Sequence, residues 1–431
     1  MSSKPRSRVL FVIGSMGGGG AERQVLEILK RIDRTRFEPL LYLAVKNGEL
    51  LLEVPADVPI FAYWDGSRET WPLKILRWMK LTRLLRQLYL AKVLSAERID
   101  VIYDRTYLAT LDAAGGCNFR PTPRVSCCVA DPGPELELHA RGSIRLSKWF
   151  ARRAYRAASV VLANSEGLRQ RVLDYFQLDP NHVKVYQNLL CDLRTQGDLR
   201  TQGDLRAQED RRTPGQASPG SLPAGEETTA NPPLPFPASF STDPSMFQVI
   251  CAGRLHPQKG HPFLLEAIEE LVHRRGRSLQ LVVFGKGETE AQLRDYVRTH
   301  QLEANVILAG FVADPRHWYQ QADLFVLPSL FEGMPNALIE AVSCGVPALS
   351  TTCPSGPAEI LDHGRCGGLV PAGDAMALAD GIADAMDHLS DWQARAVLAQ
   401  ARVQQMFDPE QGIRRLETLL DEVISTSRRG R

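Results

Sequence analysis

Two short runs in the second half of the chain have residue types and spacings suited to holding a charged, polyhydroxylated ligand. The first is Gly253-Arg254-Leu255-His256-Pro257-Gln258-Lys259-Gly260. Arginine offers a planar fork and lysine a point charge, a pair that suits a pyrophosphate. The second is Phe331-Glu332-Gly333-Met334-Pro335-Asn336-Ala337-Leu338-Ile339-Glu340. Pro335 suits the first turn of a helix, which leaves Glu332 in a loop and puts Glu340 in the second turn. Free N–H groups at Asn336 to Leu338 can then hold a phosphate. One carboxylate can accept from ribose hydroxyls and the other from a sugar ring. The ordinary alternatives are solvated surface cations and an exposed helix carboxylate. A third run, GSMGGGGAER, holds Gly14, Gly17, Gly18, Gly19, Gly20 and Glu22. Its glycines permit close approach and positive φ. It is no dinucleotide fingerprint, because Glu22 stands where that pattern needs glycine. It is no P-loop, because no Gly-Lys-Ser/Thr follows.

These loops need strands to carry them. Before residue 192, the apolar runs RVLFVIG, PLLYLAV, IDVIYD, RVSCCVA and SVVLANS read as strands. AERQVLEILKRI, WPLKILRWMKLTRLLRQLYLAKVL, SKWFARRAYRAA and EGLRQRVLDYF read as helices between them. After residue 245, MFQVICAG, LQLVVFG, NVILAGF, DLFVLPS and VPALSTT are strands, interleaved with PFLLEAIEELVHRRG, ETEAQLRDYVRTH and PNALIEAVSCG as helices. Continuous apolar strands separated by amphipathic helices mean parallel sheets covered on both faces. The expected fold class is α/β: two doubly wound, Rossmann-like domains facing across a cleft. Ligands in such sheets sit beyond the C-terminal ends of the strands.

Residues 192–245 interrupt this pattern. They open on DLRTQG, DLRTQG, DLRAQE and continue rich in Pro, Gly, Ser and Thr. Such a stretch buries too little to offset its chain entropy, and it reads as a disordered linker. The expected units are 1–191, the linker 192–245, 246–405, and a C-terminal helix in 406–431. That helix, EQGIRRLETLLDEVIST, either caps the second domain or crosses back to the first.

Composition narrows the function classes. The 431 residues carry 51 basic and 50 acidic side chains, so no basic footprint for nucleic acid exists across the whole chain. No run approaches the length of a membrane span. The N-terminal apolar run, Val9 to Ile13, is a strand rather than a signal peptide. Eight cysteines form no CxxC pair and read as reduced thiols. No Asp-x-Asp occurs anywhere, so a diphosphate-bridging metal has no visible ligands of that type. The expected location is the cytoplasm. Lys74, Arg77, Lys80, Arg83, Arg86 and Lys92 in the helix at 71–94 suggest peripheral contact with the inner face of a membrane. The first five, spaced by three, wind through about 240°, which favours an ordinary domain helix.

The runs G-R-L-x-x-x-K-G, V-F-G-K-G-E and F-E-G-M-P-N-A-L-I-E-A, with E-x7-E spacing, resemble a retaining GT-B glycosyltransferase of family 4. So do Gly19-Gly20-x-Glu22 and Val185-Tyr186-Gln187-Asn188. The resemblance covers all but about 192–245. It implies a nucleoside-diphosphate-sugar donor, UDP-sugar by default, with retention at the anomeric carbon and no required cofactor. By this resemblance Arg254 and Lys259 hold the diphosphate, Glu340 the ribose and Glu332 the donor sugar. Gly285 and Gly287 line the cleft. Gly310, Phe311 and Val312 lie near the base, and Gly333, Met334, Pro335, Asn336 and Ala337 complete the donor site. Gly17, Gly18, Gly19, Gly20 and Glu22 belong to the acceptor side. Many relatives carry a histidine after the strand that here reads RVSCCVA; this chain has Asp131 there, and His139 is the nearest candidate. Cys353-Pro354-Ser355 and the Gly-Pro-Ala-Glu that follows resemble relatives that build surface polysaccharides and N-glycan precursors. The implied acceptor is a saccharide or a lipid-linked saccharide. The competing readings are a nucleotide-sugar epimerase of the same fold and a non-catalytic nucleotide-binding relative.

Overall fold

The computed structural model describes residues 6–65, 82–139, 143–190, 243, 245–312 and 314–429. The expected linker therefore lies almost wholly outside the described residues, as do Lys74, Arg77 and Lys80. Strands β1 (Ser7–Ile13), β2 (Phe37–Val45), β3 (Ile60–Trp64), β4 (Val101–Arg105), β5 (Arg124–Cys128), β6 (Val160–Ala163) and β7 (Val183–Val185) form one sheet. Its order is β3-β2-β1-β4-β5-β6-β7. Strands β8 (Phe247–Ala252), β9 (Leu279–Phe284), β10 (Val306–Gly310), β11 (Leu324–Leu327), β12 (Ala348–Thr351) and β13 (Gly368–Val370) form the second, in the order β10-β9-β8-β11-β12-β13. All pairings are parallel. The strand order reverses at β1/β4 and at β8/β11, and such points open crevices at the strand ends.

The helices that cover the first sheet are α1 (Gly20–Arg31), α2 (Thr82–Ala96), α3 (Tyr107–Phe119), α4 (Pro132–His139), α5 (Ile144–Arg156) and α6 (Glu166–Phe176). Those that follow in the second half are α7 (His261–Glu269), α8 (Glu290–Thr299), α9 (Arg316–Tyr319), α10 (Asn336–Ser343), α11 (Pro357–Ile360), α12 (Ala375–Asp387) and α13 (Leu389–Met406). The last, α14 (Pro409–Arg429), returns to the first sheet. Its Ile413, Leu416, Leu420, Val423 and Ile424 join one core with Val9, Phe11 and Val101. Glu417, buried at 4 % exposure, accepts from the Asp33 amide at 2.8 Å and pairs with Arg36 at 2.8 Å. The chain thus crosses between the halves at 186–190 and again at 407–408. Beside the crossings, Leu190 N donates to Phe407 O at 2.8 Å.

Central strands are buried on both faces: Val9 to Ile13 are at most 1 % exposed, which explains their unbroken apolar sequence. In the described turns of α2, Arg86 pairs with Asp112 of α3 at 3.2 Å, so this cation of the 71–94 segment faces the domain. Among the described residues, no helix is long and apolar enough to cross a membrane.

Candidate functional site

The loops after β8 and β11, with the β9 loop beside them, meet at the second switch point. The β8 loop turns through Pro257–Lys259, which His256 caps by accepting from Gln258 N at 3.2 Å. Gln258 stitches it to the β11 loop, accepting from Leu330 N and donating from Nε2 to Phe331 O, both at 2.8 Å. The two sequence runs are thereby joined. Lys259 Nζ contacts Glu332 Oε1 at 2.5 Å, and Ser329 Oγ donates to the same oxygen at 2.7 Å. Glu332 is buried at 5 % exposure. Ser355 Oγ, donating to Glu332 O at 2.7 Å, fixes its backbone. Arg254, in the same β8 loop, is exposed, and burial together with Arg254 pushes the His256 pKa down.

The β9 loop runs backbone against backbone with the β8 loop. At Gly285 φ is +144°, and a Cβ there would lie 1.8 Å from Gly253 O, so only glycine fits. A Cβ at Gly287 would lie 2.1 Å from Leu255 O. Glu340, one helical turn into α10, is 7 % exposed, so it is no solvated helix carboxylate. Burial pushes its pKa up to about 7, with Arg23 pulling down and Asp314 pushing up.

The glycine run of the first domain faces this edge across the cleft. None of Gly14, Gly17, Gly18, Gly19 and Gly20 has positive φ, so the left-handed backbone they permit is not used; close approach bears on Gly18 and Gly20, whereas nothing lies within 4 Å of a Cβ at Gly14. A Cβ at Gly18 would lie 2.7 Å from Phe311 Cε2, and one at Gly20 2.8 Å from Asn336 Nδ2. Asn336 Nδ2 donates to Gly20 O at 2.9 Å. Gly20 and Glu22 belong to the first turn of α1 rather than to the loop. Burial pushes the Glu22 pKa up, while Arg254 and Arg105 pull it down.

Several residues at this junction were not singled out from sequence. Arg105, 1 % exposed, donates to Tyr103 Oη at 2.9 Å and to Asn188 Oδ1 at 2.6 Å. Asn188 Nδ2 donates onward to Asn336 Oδ1 at 2.7 Å and Met334 O at 3.1 Å. Glu359 accepts from Gly167 N at 2.9 Å and Glu166 N at 3.2 Å, tying the start of α6 to the other half. Thr106, at the end of β4, has φ +89°, a rare backbone state for a β-branched residue. Such partners are distant in sequence; only the glycine, lysine and glutamate runs announce themselves locally.

His139 ends α4, roughly 10 Å along the axis from the start of that helix, whereas Asp131 immediately precedes the helix. Asp131 is 1 % exposed, pairs with Arg171 and accepts from Gly133 N at 3.1 Å. Next to it, burial pushes the Glu135 pKa up to about 8, with the Tyr107 amide pulling down and Asp131 pushing up. Among the described residues no group of three or more His, Cys, Asp and Glu could hold a metal ion. A pocket of about 390 Å³ lies between Lys184–Asn188 and α14, and Asn188 belongs both to its lining and to this junction.

This architecture defines a class: two Rossmann-like sheets facing across a cleft, the GT-B fold. The chain superimposes on HepE of Anabaena, solved with UDP and glucose, with a TM-score of 0.70 at 21 % identity over 97 % of this chain and 100 % of that one. Residues 18–189 match Glycosyltransferase Family 4, and residues 247–388 match Glycosyl transferases group 1. The chain belongs to the GT-B glycosyltransferases of group 1 and family 4. It is 31 % identical over 184 residues to the amylovoran biosynthesis glycosyltransferase AmsK of Erwinia amylovora, covering 41 % of this chain and 45 % of that protein. It is 24 % identical over 372 residues to the N-acetylgalactosamine-N,N'-diacetylbacillosaminyl-diphospho-undecaprenol 4-alpha-N-acetylgalactosaminyltransferase of Campylobacter jejuni, covering 86 % and 87 %. The match to AmsK thus spans less than half of that relative's length.

Proposed function

We propose that the chain transfers a sugar, with retention, from a nucleoside-diphosphate sugar to a hydroxyl of a saccharide or lipid-linked acceptor. UDP is the favoured nucleotide, because HepE binds it in the same fold. A place in polysaccharide or glycoconjugate synthesis is favoured by the names of AmsK and the Campylobacter relative. The carrying observation is the Lys259–Glu332 contact, with Arg254 exposed in the same β8 loop and Glu340 buried in the helix that follows.

In this reading Arg254 and Lys259 hold the diphosphate, and the free N–H groups at the start of α10 face it. All three oppose the negative charge that grows on the leaving diphosphate as the glycosidic bond breaks. Glu332 accepts hydrogen bonds from hydroxyls of the donor sugar, and the contact to Lys259 holds both side chains ready before the donor arrives. Glu340 accepts from the ribose hydroxyls. Gly285 and Gly287 let the backbone approach the donor, Phe311 and Val312 flank the base, and the glycine run with Glu22 lines the acceptor side.

The test is thermal stabilisation by UDP, GDP and ADP, each against Arg254→Ala and Lys259→Ala. Ligand at 100 times its Kd adds about 2.7 kcal/mol. The expected result is a shift with UDP that both substitutions abolish. No shift with any nucleotide would overturn the reading.

A further inference from the structure

Helix α5 differs from the rest of the first domain in what it shows to solvent. It reads IRLSKWFARRAYR, with cations at Arg145, Lys148, Arg152, Arg153 and Arg156 and no acid. Ala151, Ala154 and Tyr155 are buried and fix one face on the domain. Away from that face, Leu146 is 56 % exposed, Trp149 52 % and Phe150 48 %. At about 100° per residue, these three fall within an arc of roughly 100° opposite the buried face. Lys148, Arg152, Arg145 and Arg156 occupy the arc beside it, and Arg153 stands between Trp149 and Leu146 within the apolar arc. A basic strip thus runs along an apolar strip that itself holds one cation.

The rings stand together in solvent. Trp149 and Phe150 meet edge to face at 5.0 Å, and the Arg153 guanidinium lies 5.8 Å from the Trp149 ring. Lys148 stacks 3.9 Å over the Tyr175 ring. Helix α3 packs against both α2 and α5, and each of these neighbours exposes apolar residues in its first turns: Leu84 at 43 % and Leu88 at 41 % in α2, Leu108 at 38 % in α3.

We propose that this face docks on an anionic lipid bilayer. Its complement must be negatively charged, because α5 carries five cations and no acid. Tryptophan and phenylalanine bordered by cations suit the boundary between headgroups and acyl chains. The proposal does not rest on the reaction above, because vesicle binding is read without turnover.

The test is co-sedimentation of the full chain with phosphatidylcholine vesicles, with and without about one-third phosphatidylglycerol. Wild type sediments with the anionic vesicles only, and less as salt rises. Arg145→Gln/Arg152→Gln/Arg156→Gln and Trp149→Ser/Phe150→Ser each weaken binding about tenfold or more. Both keep the wild-type melting curve and nucleotide-induced shift. Absence of binding by wild type overturns the proposal, as does equal binding by all three proteins. A dimer in size-exclusion chromatography that Trp149→Ser/Phe150→Ser dissolves, without vesicle binding, assigns the face to a second copy instead.

Discussion

A carboxylate that must accept hydrogen bonds from hydroxyls does so fully only when ionised, and Glu340 sits at the edge of that condition. Its pKa of about 7 comes from burial, relieved in part by Arg23. Because the folded pKa lies above the unfolded carboxylate range, the folded state holds this proton more tightly. The stability contributed is present at acid pH and is lost as pH rises towards 7. Ligand binding runs the other way in the proposed role, since ribose hydroxyls favour the ionised form. UDP affinity, measured by calorimetry from pH 5.5 to 8.5 (about 3 units around the midpoint), should rise with pH and level off above about 7. Glu340→Gln should remove this limb while leaving the titration of the nucleotide's own phosphate. An unchanged profile in the variant would remove Glu340 from the ribose. Glu332 differs in its neighbours: Lys259 and Ser329 already contact its carboxylate.

The loops that position these side chains depend on backbone contact across the cleft. A Cβ at Gly333 would lie 2.0 Å from Val129 O, closer than any real packing permits. Gly333→Ala should therefore push the β11 loop away from the first domain. The expected outcome is a loss of nucleotide-induced thermal shift with secondary structure by circular dichroism unchanged. A shift of wild-type size would show that the loop can move without cost. Much of this level was legible in sequence, because a strand buried on both faces, such as β1 or β8, must be apolar throughout. Short edge strands were not: β7 and β13 have three residues each, too few for a period. Helix α3 was also hidden, since Gly115-Gly116 reads as a break. In the fold those glycines let α2 come close; a Cβ at Gly115 would meet Gln87 Cδ at 2.0 Å. At the site, Arg254, Lys259, Glu332 and Glu340 were legible because each run is contiguous and follows its strand. Asn188 was quoted only as part of a motif, and its link from Arg105 to Asn336 joins positions distant in sequence.

The whole molecule is held together by its last helix as much as by its sheets. Leu420 of α14 is fully buried in the core of the first domain, although helices of the second half precede it in the chain. Leu420→Ala should cost about 2–5 kcal/mol, read as a lowered urea midpoint. It should spare nucleotide binding at low temperature, because the donor loops belong to the other sheet. A cost near zero would mean that α14 detaches readily in solution. The two crossings, at 186–190 and 407–408, lie side by side and are stitched by Leu190 N to Phe407 O. The same boundary is bridged on the cleft side by Asn336 Nδ2 to Gly20 O and by the Glu166 and Gly167 amides to Glu359. Widening the cleft therefore means parting Gly20 from Asn336 and releasing Glu359, while the backbone bond between the two crossings can stay closed.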